Sequence, residues 1–181
     1  LFCLPLHGKD KVQIIQVIMK PYDVNTIADY VIMLLNGDES FSLINLKLQK
    51  LMYYIQAWSL GINKESMMNA RFEAWVHGPV CRQLYERFKS TKSLYSVISK
   101  EDIHNENAVY EICAEDREFI NYILENFARY SGTQLETMTH NELPWIEARG
   151  GIGPMEHCEN QISEQTMSEF YGKKYEEIPE N

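Results

Sequence analysis

Residues 45–60 read NLKLQKLMYYIQAWSL, and this stretch decides the fold. Its apolar side chains recur every three or four positions, which is typical of one face of an α-helix: Ile44, Leu48, Leu51, Ile55 and Trp58. Other apolar side chains lie off that stripe, so that more than half of the circumference is apolar: Leu46, Met52, Tyr53, Tyr54 and Ala57. Such a helix is usually covered on several sides. We therefore expect a central helix that begins at Ser42 or Asn45 and that Gly61 terminates.

Further helices are predicted on both sides of the central one. Asp23 is a suitable N-cap, because its carboxylate can accept amide hydrogens of the first turn. The apolar period that follows ends at Asn36-Gly37, two residues that tolerate left-handed backbone. Four more helices follow. The first runs from about Glu115 to Tyr130 and is stopped by Gly132, and the second is short and begins with a capping box at 133–136. The third, Trp145 to Arg149, is opened by Pro144, and the last is capped by Ser163 and closed by Gly172.

The predicted β-structure is minor. Residues 72–76 alternate large and small side chains, which is typical of a short strand or an extended connector. Pro79 suits the first position of a third helix, since its missing N–H would be unpaired there. The best strand candidates are 94–98 and 109–112, which we expect to pair as a small hairpin.

These elements predict a mostly α fold, a single compact domain of five to seven helices around a central apolar helix with a minor β element. The 181 residues suffice for one such domain. We expect residues 1–22 to be a leader or upstream segment, because the apolar period begins only after Asp23. Met19 then lies close to the natural start, although 12–18 could instead form a strand. Residues 23–172 are the predicted domain, and 173–181 are an acidic tail.

Composition narrows the class of protein. With 17 basic and 26 acidic residues the formal net charge is −9, which argues against a nonspecific nucleic-acid binder. The four scattered cysteines form no CxxC pair, so a reducing cytoplasm is the expected compartment. No apolar run approaches the roughly 18 residues of a membrane span.

Two residue pairs could carry chemistry. Cys81 lies in the first turn of a predicted helix, where the dipole would lower the pKa of its thiol, and His77 or His140 could serve as its base. His140 with Glu142 is the second candidate. Cys81 also lies beside an apolar face, however, and packing explains it as well. No HExxH, HxxxH or phosphate-binding glycine pattern is present, so we expect no catalytic residue, cofactor or metal.

One segment is locally basic. Cations and aromatic side chains alternate between Arg82 and Lys100, which is a pattern that can bind single-stranded nucleic acid by stacking. Cations near the end of a helix are also favourable in any protein. Nucleic acid therefore remains the lesser alternative partner.

Three motifs occur in a fixed order. They are LKLQKLMYY followed by QAW at 46–58, FEAWVHGPV at 72–80, and THNELPWIEAR at 139–149. In this order and spacing, from about Asp23 to Tyr171, they resemble the Panacea, or SocA-like, antitoxin domain family. The pattern of that family consists of a KLQKLLYY helix, an EAW-x-x-GPV turn and a TH-x-x-x-PW-x-x-A ending.

The resemblance implies an antitoxin, from bacteria, phages or mobile elements, that binds a cognate toxin encoded by a neighbouring gene. It implies no catalytic residue, and we expect no separate DNA-binding domain in these 181 residues. The apolar motif positions can be fold determinants, whereas the polar ones can form a buried network or a contact surface. The candidates for family-motif or partner-binding positions are Lys50, Tyr53, Tyr54, Glu73, Trp75, His77, Gly78, Pro79, His140, Glu142 and Trp145. We expect Tyr53 and Tyr54 to be exposed contacts, and the sequence does not indicate the oligomeric state.

Overall fold

The computed structural model describes residues 20–37 and 42–178. In this part of the chain there are eight α-helices, one short 3-10 helix and a two-stranded sheet. In chain order they are α1 (Val24–Leu35), α2 (Asn45–Ile62), β1 (Phe72–Trp75), β2 (Gly78–Cys81), α3 (Arg82–Phe88), the 3-10 helix (Lys100–Asp102), α4 (Ala108–Glu111), α5 (Ala114–Phe127), α6 (Gly132–His140), α7 (Leu143–Arg149) and α8 (Glu164–Glu176). The predicted mostly α fold is confirmed, and the helices number eight rather than five to seven.

Helix α2 lies at the centre, as predicted. Of its 18 residues, all but Trp58 and Ile62 are buried. It packs most extensively against α8, and also against α6, α5, α1 and the strand β2. Its first amides are paired by a distant segment, because Asn45 and Leu46 donate to the carbonyls of Ser96 and Leu94 at 3.0 and 2.9 Å.

The predicted hairpin of 94–98 with 109–112 is wrong. Residues 94–98 instead run past the start of α2, where Ile98 donates to the carbonyl of Leu43 at 2.8 Å. Residues Ala108–Glu111 form the single helical turn α4. Both stretches have the apolar alternation of a strand, and their tertiary neighbours decide otherwise.

Two glycines were expected to end helices and instead lie inside them. A Cβ at Gly61 would lie 2.6 Å from Cβ of Tyr171, and one at Gly172 would lie 3.1 Å from the carbonyl oxygen of Gly61. The backbones of α2 and α8 therefore meet at this point, which only glycine permits. As a result α2 continues to Ile62, and α8 continues to Glu176, past the predicted start of the acidic tail.

The helix caps are a mixture of confirmed and corrected predictions. Asp23 caps α1 and Ser163 caps α8 as predicted, and Pro144 lies in the first turn of α7. Asn36 ends α1 with right-handed backbone, so left-handed tolerance is not the reason for the stop. The capping box of α6 is formed by Ser131 and Gln134 rather than by residues 133–136, so Gly132 begins α6 instead of stopping α5.

Strands β1 and β2 form an antiparallel hairpin in which Phe72 pairs with Cys81 and Trp75 with Gly78. The strand alternative for 72–76 is thus confirmed. The prediction that Pro79 opens a helix is wrong, because Pro79 lies within β2 and α3 begins at Arg82. Gln49 of α2 satisfies the open edge of β2, since its Oε1 accepts the amide of Cys81 at 2.9 Å.

The first described residues are joined to this core. Tyr22 is buried, receives a hydrogen bond from the amide of Asn69 at 2.7 Å and donates its hydroxyl to Asp116 at 2.7 Å. The expectations for Met19 and for residues 12–18 fall outside the described residues. None of the helices in 20–37 and 42–178 is long and apolar enough to cross a membrane.

Candidate functional site

The three sequence motifs meet where the hairpin crosses α2. Lys50 is fully buried and donates a hydrogen bond from Nζ to the carbonyl of Pro79 at 2.9 Å. Burial lowers the pKa of Lys50 to about 7, and the carboxylate of Glu136 opposes that shift. Gly78 leaves the necessary space, because its φ is 85° and a Cβ there would lie 2.8 Å from Cε of Lys50 and 2.7 Å from Oγ1 of Thr139. Lys50 and Gly78 therefore hold the hairpin against α2.

One carboxylate organises the polar edge of the hairpin. Glu73 accepts hydrogen bonds from Arg82 Nε at 2.9 Å, from Arg82 Nη2 at 2.6 Å and from Trp75 Nε1 at 2.7 Å. The two bonds from Arg82 hold the pKa of Glu73 below its usual range. Glu159 approaches the same guanidinium at 2.7 Å. Both Trp75 and Arg82 are thereby fixed in orientation at the surface.

The outer surface of the hairpin, which we call the hairpin face, consists of Trp75, His77, Arg82 and Tyr85. The rings of Trp75 and Tyr85 meet edge to face with centroids 4.9 Å apart, and the guanidinium of Arg82 lies 5.3 Å from the Trp75 ring. His77 Nδ1 lies 2.8 Å from Glu136 Oε1 at the turn. Trp75 is half-buried, while Tyr85 and His77 are exposed, so this cluster is accessible to a partner.

The third motif packs beneath the same hairpin. Trp145 is buried and donates from Nε1 to the carbonyl of Trp75 at 3.1 Å. His140 stacks on the Trp145 ring at 4.2 Å, and burial lowers the pKa of its imidazole. Arg149 lies 4.8 Å from the same ring and donates to the carbonyl of Ala74 at 2.9 Å. His140 and Trp145 are thus inner supports of the hairpin.

Glu142 belongs to a different cluster. It is buried and accepts hydrogen bonds from Tyr171 at 2.6 Å, from Tyr54 at 3.4 Å and from Lys174 at 2.9 Å. His140 is not among its partners, so the structure does not form the His140/Glu142 pair that the sequence suggested. Glu142 instead joins α8 to α2.

The expectation that Tyr53 and Tyr54 are exposed contacts is wrong. Both side chains are fully buried. Tyr53 meets Phe72 edge to face at 5.5 Å, and Tyr54 stacks on Phe127 at 4.2 Å. They are buried because α5, α6, α8 and the hairpin all cover α2.

Neither cysteine–histidine pair suggested for catalysis is formed: in the described residues, Cys81 has no hydrogen bond with His77, which contacts Glu136, or with His140, which stacks on Trp145. Cys81 is buried at the N-cap of α3, and burial raises the pKa of its thiol. It pairs with Phe72, at the far end of β2 from His77 at the turn. Cys81 follows His77 by four positions along the strand, a span of about 13 Å. A nucleophile and its base must lie within hydrogen-bond reach.

The basic segment does not present a continuous stripe. Four of its five cations are paired with carboxylates: Arg82 with Glu73 and Glu159, Arg87 with Asp29, Lys89 with Glu86, and Lys92 with Asp102. In residues 20–37 and 42–178, no three His, Cys, Asp or Glu side chains converge as they would around a metal ion.

The sequence by itself does not distinguish three residues of this site. Glu136 and Arg149 carry no chemical motif of their own, and Arg82 has only the pattern of a basic patch. Arg149 does end the third motif, and Arg82 and Tyr85 are three residues apart on one helix, which are the signals that could have indicated them.

Comparison with known proteins places this arrangement in a family. No curated protein and no solved structure shows significant similarity to the chain. The family model described as "Antitoxin SocA-like, Panacea domain" matches residues 48–146, which contain all three motifs apart from the first two residues of the first and the last three of the third. The match spans more than half of the 181 residues but is shorter than the resemblance from Asp23 to Tyr171. The chain therefore belongs to the SocA-like antitoxin family with a Panacea domain.

Proposed function

We propose that this protein is an antitoxin that neutralises a cognate toxin by direct protein–protein binding, with the hairpin face as the contact surface. The toxin is encoded by a neighbouring gene, and the complex forms in the cytoplasm. Family membership supports the class of function. The placement of Trp75, Arg82 and Tyr85 together on an accessible surface supports the site.

The composition of the hairpin face is the observation that carries this proposal. Trp, Tyr and Arg are the residues that most often dominate the binding energy of interfaces. Here Trp75 contacts both Arg82 and Tyr85, and Glu73 fixes Trp75 and Arg82 in place. Side chains that are already ordered lose less entropy on binding, so the face is suited to a tight contact.

The candidate positions from the sequence fall into two groups in this proposal. Trp75 and His77 contact the toxin, and Glu73 orients the contact. The remaining candidates lie inside the domain, where His140 is half-buried and the others are buried, and they support the fold beneath the hairpin face: Lys50, Tyr53, Tyr54, Gly78, Pro79, His140, Glu142 and Trp145. We expect binding to require no nucleotide, cofactor or metal, since protein surfaces alone supply the contacts.

The experiment combines growth with binding. Expression of the neighbouring gene alone should arrest growth, co-expression of this chain should restore it, and the two purified proteins should form a complex. A neighbouring gene that is harmless by itself, or rescue without a physical complex, would exclude the proposal.

Surface variants test the site. Arg82→Ala and Tyr85→Ala should each weaken the complex by about 2 kcal/mol, or roughly 30-fold, because each removes a hot-spot side chain. Tyr95→Ala is the matched control, since Tyr95 is more exposed than Tyr85 and lies outside the hairpin face. Equal affinities for the Tyr85 and Tyr95 variants would place the contact elsewhere.

A further inference from the structure

A second surface lies between α5 and the C-terminal ends of α2 and α8. It is a groove of about 240 Å³ that we call the aromatic groove, lined by Trp58, Tyr122, Phe127, Tyr130, Tyr175 and Ile178. We propose that this groove docks a segment of the partner protein in which an apolar side chain lies between basic ones. The proposal rests on the proposed function, because the partner is the cognate toxin.

The rim of the groove carries large aromatic and aliphatic side chains that are exposed. Tyr122, Tyr175 and Ile178 are each about half exposed, at 53%, 50% and 49%. Clustered exposed apolar side chains commonly mark interaction sites. The volume is below the roughly 300–1,000 Å³ of small-molecule pockets, so it is better suited to one or two protein side chains.

The groove also contains an unpaired donor. Trp58 Nε1 is buried and has no acceptor within the part of the chain that the structure describes. The other two indoles are paired, with Glu73 and with the carbonyl of Trp75. A buried donor without an acceptor is unfavourable, and a carbonyl from a bound segment would supply one.

Charge selects the kind of partner. Glu118 and Glu125 lie one helical turn from Tyr122 on either side, and Glu176 follows Tyr175. All three are exposed and form no ion pair among residues 20–37 and 42–178.

The cations near the groove offset this charge only in part. The guanidinium of Arg129 lies over the ring of Tyr130, and Lys173 is paired with Glu177. The excess of carboxylates favours a basic segment. It disfavours a second copy of this chain, whose net charge is −9.

Affinity measurements with the purified product of the neighbouring gene test the groove. The double variant Tyr122→Ala/Tyr175→Ala should weaken binding about 10- to 100-fold, whereas Tyr110→Ala, at an exposed tyrosine on α4, should change it less than about 3-fold. Glu118→Lys/Glu125→Lys should slow association about 10-fold at low salt and much less at 0.5 M salt. Glu106→Lys is the exposed charge control.

A spectroscopic readout complements affinity. The indole ¹H–¹⁵N signal of Trp58, assigned with Trp58→Phe, should move downfield when the partner binds, since its N–H gains an acceptor. The melting curves of the groove variants should remain close to that of the wild type, because surface substitutions away from packed features are usually nearly neutral.

The outcomes separate this inference from the proposed function. If the wild type forms no complex, the proposed function fails and the groove proposal with it. If the hairpin-face variants weaken the complex and the groove variants and the Trp58 signal do not respond, the groove proposal alone is overturned. If the groove variants disrupt only self-association, the occupant is a second copy and the proposal is likewise overturned.

Discussion

The two tryptophans of the hairpin region, Trp75 and Trp145, belong to different environments. Trp145 is 4% exposed and lies between His140, Arg149 and the underside of the hairpin. Trp75 lies on the outside, half-buried against Arg82 and Tyr85. Two tryptophans of the same family motifs therefore have different roles: Trp145 packs beneath the hairpin and supports it, and Trp75 forms part of its outer surface.

The same division applies to the charged residues. Lys50 and Glu142 are buried and satisfied by fixed hydrogen bonds, so they contribute to the unique packing of the core. His77 and Arg82 contact carboxylates at the surface, where water competes for them. Substitutions on the two sides should therefore separate stability from binding.

The largest effect is expected at Trp145. Trp145→Ala removes a buried aromatic side chain and should lower the free energy of unfolding by about 3–5 kcal/mol. Denaturant unfolding followed by circular dichroism measures it. A decrease in the free energy of unfolding below about 1 kcal/mol would contradict the conclusion that Trp145 supports the hairpin from beneath.

Trp75→Ala should affect binding more than folding stability. We expect the complex with the toxin to weaken by about 2–4 kcal/mol, while the free energy of unfolding falls by only about 1 kcal/mol, because the side chain is half-buried. Calorimetric titration together with denaturant unfolding measures both quantities. If the free energy of unfolding falls as far as for Trp145→Ala, Trp75 is a core residue, and its role as a contact residue of the hairpin face is contradicted.

Lys50 should give a pH-dependent effect. Lys50→Met loses the hydrogen bond to the carbonyl of Pro79 but also removes a buried charge. Below pH 7 the second effect should be larger, so the free energy of unfolding should rise by about 1–4 kcal/mol. The folded pKa of about 7 lies below the ordinary value of 10.5, so between these values the unfolded state binds more protons. The wild type therefore gains stability as pH rises above 7, with a slope of up to about 1.4 kcal/mol per unit.

The difference between variant and wild type should accordingly shrink from pH 7 to pH 9. Unfolding curves at several pH values measure it, and the exposed Lys100→Met is the control. A difference that stays constant over this range would mean that Lys50 does not titrate differently in the folded state.

The smallest effect is expected at His77. His77→Ala removes a contact with Glu136 in which the histidine side chain is 47% exposed, so the free energy of unfolding should fall by about 0.2–1 kcal/mol. Thermal unfolding of the variant and the wild type measures this change. A loss above about 2 kcal/mol would show that His77 supports the fold as Trp145 does.

Much of the helical framework was predictable because its signals are local. The N-caps Asp23 and Ser163 and the apolar period of residues 45–60 depend on spacing along the chain, and all three predictions are confirmed. The resemblance that predicted the family was also readable, because its three motifs keep their order and spacing.

The predictions that failed depend on distant neighbours. Gly61 and Gly172 have the local character of helix ends, yet each is required where α2 and α8 approach most closely. Residues 94–98 have the pattern of a strand, yet their carbonyls pair the first amides of α2. No periodicity within a short window contains these contacts.

The sequence by itself determined the helical class, the centrality of α2 and the family, since these follow from the apolar period and from motif order. Only the tertiary structure decided which motif residues are accessible. Tyr53 and Tyr54 are buried because α5 and α8 close over α2. Trp75 remains at the surface because it lies with Glu73 on the face of β1 opposite to the buried Phe72 and Ala74. Burial depends on which elements pack together in three dimensions, and the side chains of one helix do not specify that alone.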